Sequence, residues 1–338
     1  LLPQPRQTVA GNRNLGSLFR QWRTMKGLAT TGRRVPLWLV TMLAEHREQF
    51  SPRFDGYLSD HFPMTALAMW QLRQPRDHIE HWAARYRPRL DQNQDASYRA
   101  ACGRYDVCIE RDGIEATVRA ALPPLLSGWV KDAFHPTIRL AYGLQFGVPG
   151  EISAGLAYLE MVGTEPLLAD YAATGRAGQT SKETLVWPQA TALPGRTFSD
   201  KAAAFLRSPA PAPLLFGEAT LSRYADAVLR QMLSTGDFFA LHLVTGLDAF
   251  RIATGPLPHT QQHWLAAGML AGCAAAELSP TRQSRTRRQP QAFHTDTEHD
   301  FKVVLACRGL AAATKSRIYR ETAHYFHISA IRRHNFPT

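Results

Sequence analysis

The chain has 338 residues, of which 45% are hydrophobic, enough to bury a large core in one large domain or two modest ones. No run of about 18 uncharged apolar residues occurs, which argues against a membrane-spanning helix and a membrane partner. The net charge of +11 comes from 39 basic residues interspersed with 28 acidic ones, a dispersal that disfavours nucleic acid as the partner.

One basic run is dense, Arg282, Arg285, Arg287 and Arg288, and it reads as a solvated loop or an anion-binding arm within a polar stretch at about 280–294. Cys102, Cys108, Cys273 and Cys307 form neither a C-x-x-C pair nor a disulfide framework, so reduced thiols are expected. The chain starts at Leu1 without a charged-then-apolar leader, and a cytoplasmic compartment is the default expectation. The sequence sets no oligomeric state.

Apolar residues recur at spacings of three and four, whereas strand-like alternation is scarce. In chain order this predicts helices over 35–49, 60–73, 77–87, 114–129, 135–146, 152–162, 221–233, 238–252, 261–278 and 297–313. Between Glu165 and Glu218 stand Pro166, Pro188, Pro194, Pro209, Pro211 and Pro213, which interrupt helices and leave short pieces such as 199–207. The expectation is a single all-α domain over 1–338, a compact multi-helix domain with an irregular proline-rich middle at about 165–218. A two-halves arrangement joined by that segment is the alternative, and the absence of a fixed repeat weakens a solenoid.

The candidate chemistry lies in apolar helical segments. His61 precedes Pro63 at the start of a predicted helix that Ser59 or Asp60 can cap, and His135 precedes Pro136 in the same way. Near a helix N-terminus the dipole disfavours imidazolium and keeps a neutral nitrogen available to a metal. His242 lies among almost wholly apolar neighbours, where a buried imidazole needs partners for both nitrogens. His299 and Lys302 share a helix face at i and i+3, after a Thr295-x-x-Glu298 sequence that resembles a capping box. Taken singly, each histidine reads as a packing or capping residue and Lys302 as a snorkelling surface lysine. Arg139 and Tyr142 follow His135 at i+4 and i+7 and are candidate substrate contacts, with structural hydrogen bonding as the alternative. His259, His263, His324 and His327 have metal-compatible spacings but fit helix-surface roles better. Nucleophile-elbow, zinc-protease, phosphate-loop and dinucleotide motifs are absent.

Five stretches together resemble the questin oxidase-like family: SDHFPMTALAM at 59–69, AFHPTIRLAYG at 133–143, AGLAYL at 154–159, DFFALHLVTG at 237–246 and TEHDFK at 297–302. The resemblance spans about residues 58–310. It implies a helical non-haem metal oxygenase in which His61, His135, His242 and His299 are imidazole ligands and Lys302, carboxylated by CO2, is a carbamate ligand. Neutral imidazoles with one hard anionic oxygen suit Fe(II), and burial favours the neutral lysine that carbamate formation requires. The implied reaction is oxidation by O2 of an aromatic, quinone-like or polycyclic phenolic substrate. Two other readings stay open: an NADPH-assisted Baeyer–Villiger-type oxidase with the nucleotide as external reductant, and a helical binding protein with a structural metal.

Overall fold

A computed structural model describes residues 33–177, 193–208, 214–217, 220–257, 261–278 and 297–334. The first half holds α1 (Leu37–Gln49), α2 (Phe62–Gln71), α3 (Arg76–Tyr86), α4 (Ala96–Asp112), α5 (Ile114–Ala121), α6 (His135–Phe146) and α7 (Pro149–Val162). The second holds α8 (Pro166–Ala173), α9 (Phe198–Leu206), α10 (Thr220–Thr235), α11 (Phe238–Ala253), α12 (Gln262–Ala275), α13 (Thr297–Thr314) and α14 (Arg317–His334). Strands are confined among the described residues to two minimal pairs. β1 (Arg53–Phe54) runs antiparallel to β2 (Leu58–Ser59), with Arg53 opposite Ser59, and β3 (Arg176–Ala177) runs parallel to β4 (Leu215–Phe216). The protein is all-α.

The helix expected over 114–129 is shorter than its hydrophobic pattern. It ends at Ala121, and Pro123–Gly128 continues as a 3-10 turn, because Pro123 and Pro124 cannot donate to the helical ladder. Three helices, α4, α8 and α14, go beyond the predicted set. In α4 only Tyr98, Ala101, Cys102 and Ile109 are buried, so its apolar stripe is thin; its start is fixed by Asp95, whose carboxylate accepts from the backbone of Ser97 and Tyr98. Within the proline-rich middle, α8 begins at Pro166, a residue that suits a first helical turn, whereas α9, the short piece expected at 199–207, is started by a capping box of Thr197 and Asp200. The third, α14, follows α13 after a short link.

Helices α2, α11 and α12 are apolar nearly all round and buried accordingly. One hydrophobic core includes residues from Val35 in the first half to Phe326 in the last helix, and it is continuous across the proline-rich middle. At the α6–α7 crossing, a Cβ on Gly143 would lie 2.6 Å from the Ile152 nitrogen, and one on Gly155 would lie 2.5 Å from the Leu140 Cα. These two glycines let the backbones touch. Among the described residues no helix is long and apolar enough to cross a membrane. All four cysteines are free thiols.

Candidate metal centre

Four separate helices deliver the five residues. His61 is the N-cap of α2, His135 opens α6, His242 lies one turn into α11, and His299 and Lys302 lie at the start of α13. Their relative exposures are 6, 6, 1, 3 and 1% respectively, so Lys302 is a core residue and does not snorkel to water. The His61 ring centroid is 4.6 Å from that of His135 and 4.6 Å from that of His299; His242 is 4.9 Å from His135 and 5.1 Å from His299. Ring nitrogens of His61, His135 and His242 all lie within 4.8 Å of one another, as do ligand atoms of His61, Glu298 and His299. This cluster can hold a metal ion.

Hydrogen bonds aim the rings. Nδ1 of His242 donates to the Phe238 carbonyl at 2.9 Å, and Nδ1 of His135 donates to the Asp132 carbonyl; an acceptor-only oxygen fixes the proton on Nδ1 in both cases. The Nε2 lone pairs of His135 and His242 therefore face the cluster, and neither Nε2 has a hydrogen-bond partner in the structure. Buried polar atoms are almost always satisfied. An imidazole anchored through one nitrogen, with the other bare and pointed at further imidazoles, is the pattern of a metal ligand.

The turn before His135 is strained. Asp132, Ala133 and Phe134 have φ of 50, 50 and 71°, three consecutive non-glycine residues in the left-handed region, at a cost of roughly 1–2 kcal/mol each. The surroundings hold the turn in place. Arg53 clamps the Asp132 carboxylate through Nε and Nη2 at 2.6 and 2.7 Å, Tyr158 donates to it at 2.8 Å, and the Asp132 nitrogen donates to Ser199 Oγ at 2.9 Å. Such strain persists only where the surroundings over-determine it, as these contacts do. Its local effect is to carry the Asp132 carbonyl under His135.

His61 is fixed through its backbone. Its nitrogen donates to Tyr86 Oη at 2.8 Å, while the neighbouring Asp60 carboxylate accepts from the Phe62 nitrogen at 2.8 Å and from His46 Nε2 at 2.7 Å. The expected capping therefore falls to Asp60, and Ser59 instead bonds Tyr158 at 3.0 Å. Burial alone would raise the Asp60 pKa, but His46 and Arg139 bring it below the ordinary carboxylate range. Glu298 comes within 3.4 Å of His61 Nδ1, is held by Arg89 at 2.6 Å, and accepts from Thr65 Oγ1 through its carbonyl at 3.0 Å. Thr295, the proposed cap of α13, lies outside the described residues.

Burial pushes the pKa of His61, His135 and His242 well below the usual imidazole range. The next influence is Lys302 for His61 and His135, and the neighbouring histidines for His242. Neutral imidazole is thus the resident form, which is the form that binds metals.

Arg139 and Tyr142, the candidate substrate contacts, share α6 with His135. Arg139 is 2% exposed and its Nε donates to Glu151 of α7 at 2.8 Å. The Tyr142 ring packs 5.7 Å from Phe146, and burial and Asp248 push its phenol pKa up. Arg139 thus ties α6 to α7, while Tyr142 packs against a residue of its own helix. Five residues at or behind the site lie outside the predicted ligand set: Glu298, whose carboxylate lies within ligand reach of His61, Asp132, His46, Asp60 and Phe238. The half-exposed Phe238 ring lies 4.5 Å from His242 and 4.9 Å from His299. Phe238 precedes His242 by four residues, a helical-face relation legible in the sequence, whereas Arg89 and Tyr86 carry no such signal. Of the other histidines, His263 packs against Phe216, His324 is exposed on α14, and His259 falls outside the described residues, as does the Arg282–Arg288 run. No family model and no curated protein matches the sequence.

Proposed function

We propose that this chain is a questin oxidase-like, non-haem metal-dependent oxygenase whose mononuclear divalent metal, Fe(II) by ligand chemistry, is held by His61, His135, His242 and His299 with Lys302 as a carbamate. The observation that carries the reading is the pair of buried, partnerless Nε2 atoms on His135 and His242, each fixed by a backbone carbonyl and facing the other imidazoles. Lys302 supports it too, since a buried lysine beside neutral imidazoles gains from conversion to an anion that offsets the metal's charge. Iron bound there supplies the electrons that activate O2. Phe238, half exposed beside two of the histidines, offers an aromatic face to a quinone-like or phenolic substrate. A further reductant such as NADPH would act from outside the domain.

A structural metal is the second reading, favoured by Glu298, which adds an oxygen donor beside His61 and can close the coordination sphere. Anaerobic purification with metal analysis separates these readings from no metal at all: about one iron per chain is expected, and loss of it in His242→Ala. Equal, negligible metal in both proteins sinks the site. O2 consumption with hydroxyanthraquinone probes then distinguishes an oxygenase, which turns over, from a structural centre, which does not. A crystal structure grown with bicarbonate tests the carbamate, because the group is acid-labile.

A further inference from the structure

On the far part of α13 from the histidines, its hairpin with α14 forms a cleft of about 420 Å³. Arg308 enters from α13, Lys315 from the link, and Arg320 and His324 from α14, while Ala311, Ala312 and Ala323 add an apolar lining. Lys315 has φ of 60°, a left-handed conformation that turns the chain between the two helices.

Among the described residues no carboxylate pairs with Arg308, Lys315 or Arg320. The nearby acids are otherwise engaged: Glu321 pairs with Arg317 at 2.6 Å, and Asp226 bonds Ser316 Oγ at 3.2 Å. Elsewhere on this molecule arginines find acids, as Arg53, Arg89, Arg104 and Arg139 do. Burial lowers the Arg308 pKa, and burial first, then Arg308 and His324, lower that of the neighbouring His327.

We propose that this cleft binds a small phosphate-bearing molecule, its oxyanion held by Arg308, Lys315 and Arg320 and its body lying against the alanine lining. Guanidinium groups match phosphate with paired N–H donors, and a volume of about 420 Å³ falls in the range of small-molecule sites. Three cations beside three alanines suit a compact ligand with one anionic end and one apolar part.

Titration calorimetry of the full chain with pyrophosphate and with ADP, at low and raised salt, tests this. Both probes bind the wild-type protein, ADP more tightly than pyrophosphate because the apolar lining takes its organic part. Arg308→Ala with Arg320→Ala weakens each by about tenfold or more, and raised salt weakens both. Circular dichroism checks that the double variant is folded, and Arg308→Lys with Arg320→Lys retains part of the affinity. No binding by the wild type, or binding that the double alanine variant leaves unchanged, overturns the proposal. So does tight binding of a single-stranded oligonucleotide with none of ADP.

Discussion

At the scale of single residues, the centre depends on side chains that never touch the cluster's interior. Asp132 is the clearest: its carbonyl orients His135 while Arg53, Tyr158 and Ser199 hold its strained backbone. Asp132→Ala keeps the carbonyl but removes the carboxylate clamp, so the ring loses its fixed aim. Metal affinity should fall by about 10–100-fold, the usual effect of removing a ligand's support, measurable by competition with a chromogenic chelator. A second residue-scale prediction concerns Asp248, 5% exposed on α11 with Arg251 at 2.7 Å. Burial raises its pKa from 3.8 to about 6 despite Arg251. Between those values the native state holds a proton that the unfolded chain has released, so stability falls as pH rises through this window and is flat above it. The shift corresponds to about 3 kcal/mol. Asp248→Asn removes that slope, and urea titrations at pH 4 and pH 7 should show the variant gaining on the wild type at the higher pH. A constant difference between the two pH values refutes the assignment.

Among elements, the α6–α7 contact matters most, because α6 opens with His135. Two features fix its geometry: the Gly143 and Gly155 backbone approach, and the buried Arg139–Glu151 ion pair. Gly155→Ala places a Cβ 2.5 Å from Leu140 Cα and forces the helices apart, at about 1–3 kcal/mol by thermal unfolding. Glu151→Ala leaves the Arg139 guanidinium buried without its acid, at about 3–5 kcal/mol. The α4 and α8 helices show why elements were only partly legible. Their hydrophobic stripes are thin or short, and what fixes them is a cap at Asp95 and a first-turn Pro166, whose meaning depends on the packing that follows.

For the whole molecule, four chain segments spread from position 61 to position 302 converge on one buried point. Ordering them without a metal crowds imidazoles around a buried lysine, so metal binding should stabilise the entire fold. With free Fe(II) at a thousandfold excess over its dissociation constant, the gain is about 4 kcal/mol, seen as a higher anaerobic Tm that a chelator reverses. An unchanged Tm with and without metal argues against the centre.

The sequence by itself determined the helical class, most helix positions, and which five residues to suspect, because apolar periodicity is local and each of the five lies in or at the start of a single helix. Taken one at a time, His61, His135, His242 and His299 still read as packing groups. Only the tertiary structure decided that their rings meet, that Lys302 is buried among them, and that Glu298, Asp132 and Phe238 belong to the same site. It also tied Arg139 to Glu151, a partner that its own helix does not reveal. The physical reason is that helical periodicity records which face is buried and is silent about what that face meets. Convergence of lone pairs across four helices is a property of packing.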